Sequence, residues 1–211
     1  MSKLPQEILR ANRAWAAEQL EAAPRYFADM ARGQSPEFLW IGCSDSRVPA
    51  EDITGSTPGE LFVARNVANL VVHTDMNLMS VIEYAVTQLK VKHIVVCGHT
   101  GCGGVRAAMS PKSHGMIDKW LRNIRDLAYD HREELAALPT EARERRLIEL
   151  NTIEQARNLT HSCIVQRAWH HGQELTIHGW LYDMETGLLH DLISLDKTFP
   201  IPDIHRYDFG A

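Results

Sequence analysis

No run of residues in this sequence approaches the roughly 18 consecutive apolar side chains that a membrane-spanning helix needs. No membrane partner is therefore expected. A basic tract is missing too. The one arginine-rich stretch, Arg143 to Arg146, is interleaved with Glu141, Glu144 and Glu149, the pattern of a solvated helix face. With a formal net charge of −5, no nucleic-acid partner is expected. The opening Met1-Ser2-Lys3-Leu4-Pro5 leads into alternating charged and apolar residues without the apolar centre of a secretory signal, which predicts a cytoplasmic address. Only four cysteines occur in 211 residues, which argues against a disulfide framework and for metal binding or reactive thiols. Repeats, linkers and low-complexity segments are absent, so a single domain over 1–211 is expected. What is present is ordinary: 45% hydrophobic and 23% charged residues. A chain of this length buries about 70% of its unfolded surface, so a metal here is not required merely for folding.

Periodicity orders the chain. Residues 6–32 read as an amphipathic helix with Ile8, Leu9, Trp15, Leu20, Tyr26 and Phe27 as apolar positions, broken at Pro24. This arm, 1–33, is suited to packing on a partner subunit or on its own domain. Phe38 to Gly42, Leu61 to Arg65 and His93 to Cys97 are short buried strands, with Gly98 turning the chain after the third. Asn77 to Leu89 is a helix capped by Asp75 or Thr74. A helix over 105–109 follows Cys102 and its glycines, then long helices over 116–138 and 140–171, the latter broken near 158–162. Glu174 to Asp183 and Leu188 to Ser194 form a hairpin around Glu185-Thr186-Gly187. Strands alternating with helices predict an α/β fold: a mainly parallel central sheet flanked by helices, with an antiparallel C-terminal hairpin and an N-terminal helical arm.

The chemistry concentrates at two strand ends. Cys43-Ser44-Asp45-Ser46-Arg47 follows the first strand, and His99-Thr100-Gly101-Cys102 the third. Two thiolates and an imidazole suit Zn²⁺. A structural zinc site closes with four protein ligands; here three are evident, and water or Asp45 completes the set. Zinc lowers the pKa of bound water. Asp45, held ionised by Arg47, is placed to accept that water's proton and aim the resulting hydroxide. Two alternatives stay open at this point. Cys97, His99 and Cys102 form a rival local set, and Asp45-x-Arg47 has a plain reading as a surface ion pair. Cys97 and Cys163 both sit in apolar runs that suit small buried hydrophobes. Gly101, Gly103 and Gly104 let backbone amides approach a small anion at a helix start, or make a packing turn.

These motifs closely resemble the β-class carbonic anhydrases. The matching text is Cys43 to Val48, Pro58-Gly59-Glu60-Leu61-Phe62, Arg65-Asn66-Val67-Ala68, Glu83-Tyr84-Ala85-Val86 and Cys97 to Gly104, with sparser matches at Asn151 to Gln155 and His178 to Tyr182. The resemblance implies hydration of CO2 to bicarbonate and a proton by zinc-bound hydroxide, with one Zn²⁺ per chain on Cys43, His99 and Cys102. It implies Asp45 and Arg47 as the catalytic dyad, and a substrate pocket lined by Gln34, Phe62, Val67, Tyr84 and Gly103. Trp40, Arg65 and Tyr182 match a second bicarbonate site in the type II subgroup, in which Asp45 leaves Arg47 and ligates zinc in a closed form, so that lower pH or high bicarbonate shuts the enzyme off. A homodimer or homotetramer is implied. Two other functions fit the same motifs: a catalytically silent zinc or redox-sensing protein, and a hydrolase of a CO2-like sulfur compound.

Overall fold

The computed structural model describes residues 4–210; Met1, Ser2 and Lys3 of the segment read above for a leader, and Ala211, lie outside the described residues. The chain divides into two compact units, Met1–Ser35 and Pro36–Ala211. In the first, α1 (Pro5–Ala22) begins with proline, whose missing N–H costs nothing in a first turn. Leu4 N donates to Glu7 Oε2 at 2.7 Å and closes that turn. The chain breaks around Pro24, and α2 (Tyr26–Met30) follows. Trp15 meets Tyr26 and Phe27 edge to face, at centroid separations of 6.4 and 5.6 Å, and ties the two helices together. Ile8, Leu9 and Leu20 remain exposed.

The second unit runs β1 (Phe38–Cys43), α3 (Ala50–Thr54), β2 (Leu61–Asn66), α4 (Met76–Glu83), β3 (His93–His99), α5 (Gly103–Met109), α6 (Ile117–Trp120), α7 (Arg122–Asp130), α8 (Arg132–Ala136), α9 (Thr140–Thr160), α10 (Cys163–His170), β4 (Thr176–Asp183) and β5 (Leu188–Leu195). The strands form one sheet in the order β2-β1-β3-β4-β5. The first four are parallel and β5 is antiparallel to β4, as the alternation of elements predicts. Leu39, Ile41, Ile94, Val96 and Ile177 turn to one face and pack with Ile82 of α4, Leu159 of α9 and Val165 of α10. On the opposite face Trp40 and Val95 cluster with Ala50 and Ile53 of α3, so the covering of the two faces is unequal.

Three boundaries differ from the sequence reading. The helix expected over 77–89 keeps regular α turns only to Glu83, then widens into a π turn over Tyr84–Gln88; Asp75 caps it, accepting from Asn77 N and Leu78 N. The helix expected over 116–138 is three short helices, α6 to α8. Strand β3 continues past Cys97 to His99, so Gly98 does not turn the chain. The turn falls at Gly101, where φ is +66°. Gly98 is small for another reason: a Cβ there would run into Thr152 Oγ1 on α9. Gly98→Ala is expected to lower the thermal midpoint by several degrees, the effect of an overpacking cost of about 1–3 kcal/mol. Thermal denaturation checks this, and a wild-type midpoint would contradict it.

Candidate metal centre

Strand β1 is flanked by β2 on one side and β3 on the other, so the chain leaves the carboxyl ends of β1 and β3 in opposite directions. Such a switch point opens a crevice in a parallel sheet. Cys43 is the last residue of β1 and His99 the last of β3; Cys102 ends the following turn and precedes α5. The ligand atoms of these three buried residues all lie within 4.8 Å of one another. Cys43 Sγ and Cys102 Sγ are 3.9 Å apart and both are free thiols. His99 Nδ1 faces the Thr100 carbonyl at 3.0 Å and donates to it, which leaves the lone pair on Nε2. That buried Nε2 has no hydrogen-bond partner among the described residues. An unpartnered buried nitrogen beside two sulfurs is costly as it stands and fits a thiophilic cation such as Zn²⁺.

The two sulfurs are electrostatically unequal. Donation from the Cys102 thiol, with help from the Ala68 amide, drives Cys43 far below the usual thiol range against the effect of burial. The Cys43 anion and burial together push Cys102 upward. Burial disfavours a charged His99, but the Cys43 thiolate outweighs it and raises His99. The site thus gathers negative charge and keeps protons that a cation would displace. Cys97 behaves differently. Burial pushes it up to about 12, and its thiol donates to the Gly98 carbonyl at 3.3 Å. It stands apart from the cluster, so the rival set of Cys97, His99 and Cys102 is not assembled. Cys163 is exposed at the start of α10, correcting its reading as a buried hydrophobe; the helix turns its side chain away from the Ile164 and Val165 face.

Beside the cluster, Asp45 is clasped by Arg47. Oδ1 accepts from Arg47 N at 3.0 Å and from Nε at 2.9 Å, and Oδ2 accepts from Nη2 at 2.7 Å. This bidentate grip holds the carboxyl well below the ordinary carboxylate range. Asp45 Oδ2 lies 3.9 Å from His99 Nε2. The Asp45 side chain is 15% exposed against 57% for Arg47, so the carboxylate faces inward while the guanidinium meets solvent. The plain surface ion pair does not describe a carboxylate that faces inward this close to the buried His99 Nε2.

The other expected residues are dispersed. Phe62 and Tyr84 have ring centroids 5.8 Å apart, and Tyr84 also lines a cavity of about 630 Å³ with Met76, Met79, Glu83 and Cys163. Val67 presses against Gly104, where a Cβ would come within 2.9 Å of it. Gly103 opens α5 and is exposed; Gln34 belongs to the N-terminal unit and is exposed there. Trp40, Arg65 and Tyr182 share one sheet face, with Arg65 opposite Gly42 and Tyr182 opposite His99. Arg65 donates from Nε to the Cys43 carbonyl at 2.9 Å and from Nη2 to the Asp45 carbonyl at 2.5 Å. Trp40 Nε1 is buried without an acceptor among the described residues. Two contributors gave no signal in the sequence: the Thr100 carbonyl, which sets the His99 tautomer, and the Ala68 amide, which donates to Cys43 Sγ at 3.4 Å. Both act through backbone atoms, the carbonyl common to every residue and the N–H to every residue but proline.

Comparison with known proteins adds to this geometry. The family described as "Carbonic anhydrase" matches residues 38–189. A carbonic anhydrase of Emericella nidulans is 50% identical over 201 residues, covering 95% of this chain and 88% of that one. One from Saccharomyces cerevisiae is 35% identical over 204 residues, covering 92% and 91%. Among solved structures, the β-carbonic anhydrase CafA of Aspergillus fumigatus superposes with a TM-score of 0.86 at 42% identity over 92% of each chain. Tetrameric β-carbonic anhydrases of Sordaria macrospora give 0.86 at 41% identity, covering 90% of this chain and 98% of theirs.

Proposed function

Since this chain belongs to the β class of the carbonic anhydrase family, we propose that it interconverts CO2 and water with bicarbonate and a proton at one Zn²⁺ held by Cys43 Sγ, His99 Nε2 and Cys102 Sγ. The observation that carries this reading is the convergence of three buried donors beside a carboxylate already committed to Arg47. When bound, zinc supplies the Lewis acidity that makes water a nucleophile near neutral pH. Asp45 stays ionised in the grip of Arg47, so it acts as a hydrogen-bond acceptor that orients the attacking water. A carboxylate held so far below its ordinary range retains no proton. Arg47 Nη2, also 3.4 Å from the Gly101 carbonyl, ties this acceptor to the loop carrying Cys102. Phe62, Val67, Tyr84 and Gly103, all of the second unit, supply the lining for CO2. A hydration assay across pH with zinc quantified on the same sample tests the reading. Stoichiometric zinc without hydration at any pH would point to the silent zinc protein.

The finer regulatory reading assigns a bicarbonate ion to Trp40, Arg65 and Tyr182. Support comes from the unpaired Trp40 indole N–H and from Arg65, whose guanidinium holds the carbonyls of both Cys43 and Asp45. An anion drawing Arg65 away would loosen the segment carrying Asp45 and free its carboxylate to leave Arg47 for the metal, the closed form. Trp40→Phe is expected to relieve inhibition by bicarbonate while zinc stays bound. Rate against bicarbonate at pH 7 checks this; inhibition unchanged in the variant removes the second site. The exposed apolar positions of α1, Ile8, Leu9 and Leu20, support an assembly through the N-terminal arm. Two or four chains per particle are expected by light scattering, as in the Sordaria tetramers; a monomer contradicts this.

A further inference from the structure

The turn after β2 holds two consecutive non-glycine residues in the left-handed region, Ala68 at φ +65° and Asn69 at φ +48°, both buried. That conformation is disfavoured and persists only where surroundings enforce it. Its consequence is local: it aims the Ala68 N–H at Cys43 Sγ, 3.4 Å away. Asn66 spans the turn, its Oδ1 accepting from Leu70 N and its Nδ2 donating to the Leu70 carbonyl, each at 2.8 Å, and one face of α9 holds the turn from the interior. Asn151 Nδ2 donates to the Ala68 carbonyl at 3.1 Å, and Gln155 Nε2 donates to Asn151 Oδ1 at 3.1 Å. Gln155 Oε1 accepts from Val71 N at 2.7 Å, and Asn158 Nδ2 closes the run on the Val71 carbonyl at 3.2 Å. Asn151 and Gln155 are 1% and 3% exposed, so these amides sit in the interior with their groups paired to this one turn. From the other side, Trp120 Nε1 donates to the Val67 carbonyl at 2.8 Å, and Gly104 leaves no room beyond Val67 and Ala68.

We propose that Asn151 and Gln155 are positioning residues for the metal centre: they hold the left-handed turn so that the Ala68 amide hydrogen-bonds the Cys43 sulfur and sets its strength as a zinc ligand. This rests on the zinc reading above. A hydrogen bond to a thiolate withdraws charge from sulfur and leaves the metal a stronger Lewis acid. These amides also satisfy the Ala68 carbonyl and the Val71 N–H, so a purely structural role predicts lost stability with the electronic character of the Cys43 sulfur unchanged.

Replacement of zinc by Co²⁺ makes the sulfur visible through its charge-transfer band in the near ultraviolet. Asn151→Ala and Gln155→Met are expected to move that band to longer wavelength and to weaken zinc binding by about 10- to 100-fold. Val165→Ala, in a separate part of the core, should lower thermal stability and leave the band in place. Folded variants at 151 and 155 with wild-type band and zinc affinity would overturn the proposal. The wild-type protein loaded with ¹¹³Cd gives a reading independent of any variant's folding. Scalar coupling from cadmium to the Ala68 amide proton is expected, and its absence overturns the proposal. A wild-type protein that takes up neither cobalt nor cadmium overturns the zinc reading itself.

Discussion

His99→Ala is expected to yield folded protein without stoichiometric zinc and without measurable CO2 hydration. Cys43→Ser should do the same. Each removes one of three buried donors drawn from the ends of β1 and β3 and the turn after β3, and the remaining pair lacks the third that fixes a cation in place. His99 carries the larger share of the geometry, because the Thr100 carbonyl fixes its tautomer and leaves Nε2 with the metal as its only available partner. The sheet should survive, since its cores are built from aliphatic side chains of the strands and of α4, α9 and α10. Zinc analysis, circular dichroism and the hydration assay on one preparation check this. Normal zinc content in His99→Ala would contradict the ligand assignment.

Asp45→Asn is expected to keep zinc and slow turnover by about 10- to 100-fold. The substitution preserves shape and one acceptor oxygen but removes the charge that Arg47 grips through Nε and Nη2. An amide also presents a donor on one side, so it can turn the wrong group toward the attacking water. Because the acceptor's ionisation in the wild type is secured far below neutral pH, its contribution should not fade on moderate acidification; any loss of activity near pH 7 must come from elsewhere, such as the closed form. Steady-state hydration with zinc measured in parallel checks the expectation. Wild-type turnover in the variant would refute the orienting role.

The α/β architecture was legible because its signals are local. Apolar runs such as Ile94 to Val96 read as strands, and the spacing of Leu78, Ile82 and Val86 reads as one helix face. The metal cluster was legible because side chains carry it and because Cys43 and His99 fall at strand ends. What stayed hidden depends on tertiary contact. Gly98 looks like a turn residue in sequence, yet its smallness serves the packing of β3 on Thr152. The breaks between α6, α7 and α8 fall at Leu121 and His131, where no proline or glycine marks them. Asn151 and Gln155 sit within a matching stretch of sequence, but only the fold brings that face of α9 against the turn at Ala68. The exposure of Cys163 likewise follows from how α10 is rotated, which its apolar neighbours conceal.

Sulfur from the end of β1, nitrogen from the end of β3 and sulfur from the turn before α5 are expected to grip one zinc and leave one position for water. X-ray absorption at the zinc edge of the purified protein reads that ligand set directly. Two sulfurs at about 2.3 Å, one nitrogen at about 2.0–2.1 Å and one further light atom are expected. A shell of three or four sulfurs, a shell without sulfur, or protein that purifies and reconstitutes without zinc would contradict the account.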